Sequence, residues 1–574
     1  MTDSVQKPPN RPLGILLVEK GLISEDQLRI AQKEQKRKGA PLDKVLTSMG
    51  FISESMVRDA VSQNIGRHSI DLSQVVVRDK ALKLVSQDMA RRHNVLPVAF
   101  DPESNTLTLA MSDIFNVVAL DHIQAVIGQQ IRIRQVLAGE TEIKRAIDKF
   151  YGFDLSIDGI LHEIETGEID NTRARTGSNE YSQPFVRLVN EMLADAVYRG
   201  ASDIHFEPEE GFLRVRYRID GVLRQMRSLH KAFWPAIAVR IKVISGMNIA
   251  ETRAPQDGRL SLTFAGHLID FRVAVQPTAH GENFVLRILD RQKGIVPLDR
   301  LGLAEENLML LKLMIARPEG IILVTGPTGS GKTTTLYSML SHINTEAINI
   351  MTLEDPVEYP ISMMRQTSVN EAVKLDFSTG IRSIMRQDPD VILIGEIRDT
   401  DSATMAFRAA MTGHQVYSTL HTNSAIGIIP RLRDIGVPPD IMVGNIIGVI
   451  AQRLARKLCG HCKQAYRPEP WELQILGLNP NEAHDLPLYR ATGCELCDFQ
   501  GYKGRTAIME ILKIDPDMDE LISRHATLRE MKETALAKGF RQLADDGIRR
   551  VIDGTTSLDE ISRIVDLTGN LRKT

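Results

Sequence analysis

From Pro12 onward the chain writes the same pattern of apolar and polar positions twice. "PLGILLVEKGLISEDQLRIAQKEQ" begins at Pro12 and "PLDKVLTSMGFISESMVRDAVSQ" at Pro41, so that GLISE in the first unit returns as GFISE in the second. Each unit carries apolar residues at helical spacing, then a glycine stop, then a Ser-Glu start. The spacing predicts two helix–turn–helix units, with Gly21 and Gly50 ending the first helices and Ser24 and Ser53 capping the second ones. Residues 66–153 alternate strand-like runs ("HNVLPVAF", "TLTLAMS") with a helix-like close ("EIKRAIDKFYG"). Residues 154–182 are polar and acid-rich and read as a linker. Residues 183–292 open on a helix pattern from Pro184 to Arg199 and continue into strands such as "FLRVRYRIDGVLRQM" and "HLIDFRVAVQP". Residues 293–574 contain the continuous apolar runs Ile321–Val324 and Val391–Ile394, the pattern of strands buried on both faces. The fold class this predicts is a multidomain α/β protein, with residues 1–65 a helical repeat and 66–153 a small α/β subdomain.

Length agrees, since 574 residues exceed what one core holds. A net charge of −3 gives no broad basic field, so bulk nucleic-acid binding is not implied. The first residues lack a signal-peptide core, and the most apolar run, "IMVGNIIGVIA" at 441–451, is too short to span a bilayer. The expectation is a cytoplasmic protein with no direct membrane insertion.

Chemistry concentrates at "GPTGSGKTTT": Gly326, Pro327, Thr328, Gly329, Ser330, Gly331, Lys332, Thr333 and Thr334. The glycines let backbone N–H groups curl round phosphates, and the following helix adds its positive end. Lys332 is expected to reach the β- and γ-phosphates and Thr333 to hold Mg²⁺. Glu396 follows the strand run of "DPDVILIGEIRD", where an open α/β sheet faces its ligand. There it would bind Mg²⁺ through water or polarise the attacking water. Glu354, Asp355 and Glu358 cluster in "TLEDPVEYP", and His421 follows a short strand in "STLHTN". Crowded carboxylates repel unless solvated, paired or facing a cation.

Taken in order, "GPTGSGKTTT", "TLEDPVEY", "IRSIMRQDPDVILIGEIRD" and "TGHQVYSTLHTN" resemble the four nucleotide boxes of the secretion ATPase superfamily. More narrowly, residues 180–574 resemble the ATPases of type II secretion and type IV pilus extension. The resemblance implies a RecA-like core and, before it, a mixed α/β, PAS-like domain. It implies Glu396, Glu354 and His421 as catalytic residues, Asp355 sharing the handling of Mg²⁺, and ATP as the nucleotide. It also implies a homo-hexamer that works against an inner-membrane platform protein and a membrane-anchored docking protein, peripheral to that membrane.

Arg214, Arg216 and Arg218 alternate, so on a strand they share one face. Either local carboxylates answer them or, as the resemblance implies, they reach nucleotide phosphates in trans, with Arg240, Arg259 and Arg272 as further candidates. The only cysteines are Cys459, Cys462, Cys494 and Cys497, two C-x-x-C pairs well separated along the chain. This suits a closed structural Zn²⁺ site in a module at about 456–506. The N-terminal repeat resembles the cyclic di-GMP-binding domain of MSHA-type pilus ATPases, which would use Arg11, Gly14 and Gln35; in the second unit Asp43 stands at the position of Gly14. The expected function is a hexameric ATPase motor for pilin or pseudopilin assembly. The alternative is a cyclic di-GMP-responsive adaptor that binds ATP with little turnover.

Overall fold

A computed structural model of the protein describes residues 12–568, apart from 66–68, 73–74, 76–78, 83, 102–103, 129, 167–182, 265–266, 291–295, 371–372 and 480–484. The chain divides into two compact units, Met1–Gln292 and Lys293–Thr574.

The first unit begins with the repeat, as helices Leu13–Glu19, Glu25–Lys38, Leu42–Ser48 and Glu54–Ile65. Ser24 caps its helix in a reciprocal box: Gln27 N–H donates to Ser24 Oγ at 3.1 Å and Ser24 N–H to Gln27 Oε1 at 2.9 Å. Gly21 and Gly50 take the left-handed φ, +65° and +72°, that the stop requires. Gly14 has a packing reason of its own, since a Cβ there would lie 2.5 Å from Leu28 Cδ1. A three-stranded sheet follows, Val95–Asp101, Thr106–Met111 and Arg132–Leu137. Its parallel second pairing is joined through the helix Val117–Ile127, as a parallel crossover demands.

The expected linker starts too early. The helix Glu140–Thr166 runs through 154–166. Ile157 and Ile160, on one helical face, are buried with Leu188 and Met192 of the next helix, and Arg187 pairs with Glu163 at 2.6 Å. Polar composition hid an amphipathic stripe; the rest of the expected linker, 167–182, lies outside the described residues.

Next comes the helix Pro184–Tyr198, and then a six-stranded sheet, antiparallel throughout. Its order is Val222–His230, Phe212–Ile219, Ala201–Pro208, Gly281–Asp290, His267–Thr278, Gln256–Phe264. Phe206, Val215, Phe271 and Phe284 are buried in one core with Leu188, Met192, Ile237 and Ile241 from two helices. The arginines of Phe212–Ile219 alternate with those core residues and lie on the opposite face.

The second unit is built on a seven-stranded sheet in the order Met364–Ser368, Ile350–Glu354, Val391–Ile394, Gln415–Leu420, Gly320–Thr325, Ile446–Leu458, Tyr502–Lys513. All pairings are parallel except the last. Gly320–Thr325, Val391–Ile394 and Gln415–Leu420 are buried along their whole lengths, as the apolar runs Ile321–Val324 and Val391–Ile394 predict for the first two; Gln415–Leu420 is buried despite its Gln, Ser and Thr. Parallel strands put the residues that follow each strand along one edge. That edge gathers the phosphate loop, the acidic box, Glu396 and His421.

Candidate nucleotide site and tetracysteine cluster

The loop between Thr325 and the helix Lys332–Ile343 has glycines wherever side chains are forbidden. Gly326, Gly329 and Gly331 have φ of +147°, +79° and +89°. A Cβ on Gly326 would meet Gln452 O at 2.4 Å and Ser330 Oγ at 2.7 Å. Ser330 is buried, and among the described residues its Oγ has no hydrogen-bond partner. Lys332 Nζ donates to Gly326 O at 2.9 Å, so the ammonium lies across the loop. Burial holds the Lys332 pKa below its usual value, with the Glu396 charge opposing that shift. A glycine cradle, a helix N-terminus and a lysine fit a nucleoside triphosphate. Thr333 lies in the first turn of that helix, and its hydroxyl is the kind of oxygen ligand that Mg²⁺, a hard cation, takes.

Behind the loop sits Gln452, which sequence reading did not single out. It is buried; its Nε2 donates to Ser330 O at 2.6 Å, and its Oε1 accepts from Thr335 Oγ1 at 2.7 Å. Its neighbour Arg453 donates to Asn423 O at 3.2 Å, in the loop after His421. A Gln-Arg pair interrupting the apolar run of Ile446–Leu458 was the available signal. Thr325 Oγ1 accepts from Thr422 N–H at 2.7 Å and ties the phosphate-loop strand to the same histidine loop.

Glu396 and Glu354 have opposite surroundings. Glu396 is partly exposed, with His421 Nε2 3.6 Å from its Oε2. Arg398 pairs with Glu396 and, at 3.3 Å, with Asp355. The hydrogen bond to Glu396 raises the Arg398 pKa. Arg398 lies within "GEIRD" and was also passed over, although a cation so close behind a metal-handling acid is a readable feature. Glu354 is buried, accepting from Thr352 Oγ1 at 2.6 Å, from Gln366 Nε2 at 3.3 Å and from the Tyr337 hydroxyl. Burial pushes its carboxyl above the usual range against those three donors.

The arginine stripe is answered locally. Arg214 lies 3.2 Å from Glu207, Arg216 2.5 Å from Glu207 and Arg218 3.5 Å from Asp203. Arg240 differs: among the described residues it has no ion pair and its buried Nε has no partner. Strand register also sets Arg218, Asp203, Arg287, Arg272 and Arg259 in one row across five strands. Like charges directly opposite each other are unfavourable, and within this row Asp203 answers Arg287 at 3.2 Å. Arg287 was not singled out from sequence, because only register reveals its neighbours. In the repeat, Arg11 lies outside the described residues, while Gln35 is half-buried on the helix Glu25–Lys38.

The four cysteines converge. All four Sγ atoms lie within 4.8 Å of one another, with Cys459–Cys494 at 3.9 Å and Cys462–Cys497 and Cys494–Cys497 both at 3.8 Å. These separations are nearly twice the length of a disulfide bond. Tetrahedral thiolates about 2.3 Å from one Zn²⁺ stand about 3.8 Å apart, so the cluster fits that ion.

The family described as Type II/IV secretion system protein matches residues 178–563, and the MshEN domain matches residues 65–157. The chain is 39% identical over 558 residues to the type IV pilus assembly ATPase PilB of Myxococcus xanthus, covering 96% of this chain and 98% of that one. It is 40% identical over 485 residues to type II secretion system protein E of Pseudomonas aeruginosa, covering 82% and 96%. The X-ray structure of the Legionella pneumophila ATPase DotB aligns with a TM-score of 0.50 at 20% identity, over 65% of this chain and 94% of that one, a likeness of fold.

Proposed function

The chain belongs to the family of type II/IV secretion system proteins, and we propose that it is the ATP-hydrolysing motor of a pilus-assembly or secretion machine. One observation carries this reading: the C-terminal edge of a parallel sheet brings Lys332, Glu396 and His421 together beside a glycine cradle. Relatives of both the pilus and the secretion kind match most of the chain, so both systems stay within the proposal.

In this reading the loop Gly326–Thr334 and the N-terminus of the helix Lys332–Ile343 hold the triphosphate. Lys332 offsets phosphate charge. Thr333, Asp355 and Glu396 handle Mg²⁺, which when bound neutralises charge on the phosphate oxygens. Glu396 and Glu354 orient and polarise the attacking water, and His421 fixes the Glu396 carboxylate. Arg240 is the better-supported source of transition-state charge, because Arg216 and Arg218 already have carboxylates; Arg259 and Arg272 remain further candidates. Such arginines acting in trans explain why the working form is a homo-hexamer. The core is read as RecA-like, supported by the single strand between the phosphate-loop strand and Val391–Ile394. The preceding domain is read as PAS-like, supported by an antiparallel sheet with helices packed on one face.

Zn²⁺ is the proposed structural metal of Cys459, Cys462, Cys494 and Cys497. Cyclic di-GMP is the proposed ligand of the N-terminal part, supported by the repeat and by the MshEN match to the block that follows it, residues 65–157. Among the described residues no helix is long and apolar enough to cross a membrane, so attachment to the inner membrane is assigned to the platform and docking partners. The test is turnover: purified protein hydrolyses ATP in Mg²⁺, and Lys332→Ala does not. Equal activity in that variant would overturn the motor reading.

A further inference from the structure

The loop at 421–427, which begins with His421, is held from three strands. Thr325 Oγ1 accepts from Thr422 N–H at 2.7 Å, Arg453 donates to Asn423 O at 3.2 Å, and Glu510 Oε1 accepts from Ala425 N–H at 2.6 Å. The third hold differs from the other two. Glu510 lies on the strand Tyr502–Lys513, opposite Ala451 and so one position from Gln452 on the facing strand. Glu510 is 3% exposed and Ala425 is fully buried, so no solvent competes for the bond. The other oxygen, Oε2, accepts from Leu543 N–H at 2.8 Å. Leu543 opens the helix Leu543–Ile552, where a backbone N–H has no partner inside the helix. One buried carboxylate thus takes a backbone donor from the histidine loop and another from a helix far along the chain. Among the described residues it forms no ion pair. Burial raises its pKa, against the two N–H bonds and the Arg453 and Lys532 charges. The helix is fixed to the same strand a second time, because Met509 N–H donates to Asp546 at 3.0 Å.

We propose that Glu510 is a positioning residue for ATP hydrolysis, bracing the His421 loop against the start of the helix Leu543–Ile552. The proposal rests on the reading of His421 given above, in which His421 fixes the Glu396 carboxylate. His421 Nε2 stands 3.6 Å from that carboxylate. A loop shift of about 1 Å is enough to undo such an arrangement. Thr325 and Arg453 hold Thr422 and Asn423 toward the phosphate loop; Glu510 holds the next part of the loop to the C-terminal helix. Both oxygens are needed. An amide in the same place has one acceptor oxygen and turns its NH₂ toward the other donor, so it cannot hold both ends.

The test is Glu510→Gln in the full chain, read by kcat and KM for ATP and by binding of a fluorescent ADP. The variant keeps the volume and breaks the brace at one end. A misplaced catalytic group lowers kcat by about ten- to a hundredfold. KM and ADP affinity are expected to stay within about twofold of wild type, since the bonds of Lys332 and Gln452 to the phosphate loop are untouched. Added to His421→Ala, Glu510→Gln causes little further loss, because both act through one group, whereas a purely structural loss would multiply. Wild-type kcat in Glu510→Gln, a loss carried by KM, or losses that multiply in the double variant would overturn the proposal. If Glu510→Gln fails to fold, Leu543→Pro breaks the same brace from the helix end. Proline is tolerated at the first helical position, and Gln542 before it is already extended, with ψ of 167°. That variant must lower kcat with the same dependence on His421. Wild-type turnover by His421→Ala would overturn the brace together with the reading of His421, and leave the motor reading to Lys332.

Discussion

His421 Nε2 stands 3.6 Å from Glu396 Oε2, across two neighbouring parallel strands, while Arg398 holds the other oxygen of the same carboxylate. Glu396 is thus oriented from both sides. Glu396→Gln keeps the shape and loses the charge. It is expected to bind ATP with near wild-type affinity and to turn over about 10²–10⁴-fold more slowly. Steady-state hydrolysis and filter binding check both halves, and unchanged turnover would take Glu396 out of the mechanism.

Arg398 also bridges Glu396 and Asp355, so a cation drawn to those acids competes with a guanidinium. Arg398→Gln is expected to lower the Mg²⁺ concentration needed for half-maximal ATPase activity. A magnesium titration of the two proteins decides it. A higher requirement in the variant would mean that Arg398 supports the metal site.

Arg240 and Arg216 separate two kinds of arginine. Arg216 is matched by Glu207; Arg240 has no ion pair among the described residues. Arg240→Ala is expected to lower kcat by about 10³-fold or more if it stabilises the transition state, and Arg216→Ala far less. Mixing Arg240→Ala with Lys332→Ala subunits should recover part of the activity if Arg240 acts in trans. No recovery in confirmed mixed hexamers would refute that.

Local signals in the sequence were legible where a few adjacent residues determine the outcome. Ser24 with Gln27 starts a helix, and glycines at 326, 329 and 331 shape a loop, whatever the rest of the chain does. What depends on partners distant in sequence was not legible. Arg216 is neutralised by Glu207, but only antiparallel register brings the two together. Gln452 shapes the phosphate loop from a strand far along the chain. Residues 154–166 read as linker because their acids outnumber the few isoleucines that form the buried stripe. The cysteines were the exception: two distant pairs were legible because the C-x-x-C spacing itself declares the cluster.

That cluster predicts one zinc per chain. Structural Zn²⁺ in small peptides is worth about 10–16 kcal/mol of apparent binding energy, so its loss should unfold the module before the nucleotide core. Elemental analysis is expected to give one zinc per wild-type chain and a large loss in Cys494→Ser, with a new low-temperature melting transition. Zinc-free, fully folded wild-type protein would defeat the assignment.

The last prediction concerns the N-terminal repeat. Asp43 stands in the second unit where the first has Gly14. Gly14 is required by packing, since a Cβ would press on Leu28, but Asp43 sits half-buried at the start of the helix Leu42–Ser48 without disturbing it. The fold of the second unit therefore tolerates the replacement, and the consequence falls on binding. Two unit charges about 4 Å apart repel by about 4 kcal/mol at an effective dielectric of 20. That is close to a thousandfold in affinity. Its neighbour Lys44 does not compensate, because its ammonium is paired with Glu140 at 2.7 Å. The full-length protein is thus expected to bind cyclic di-GMP weakly, and Asp43→Gly to bind it far more tightly with an unchanged melting temperature. Calorimetry on both proteins reads this directly. Submicromolar affinity in the native chain would show that Asp43 faces away from the phosphates. No binding in either protein would leave the repeat as a docking surface for the membrane-anchored partner.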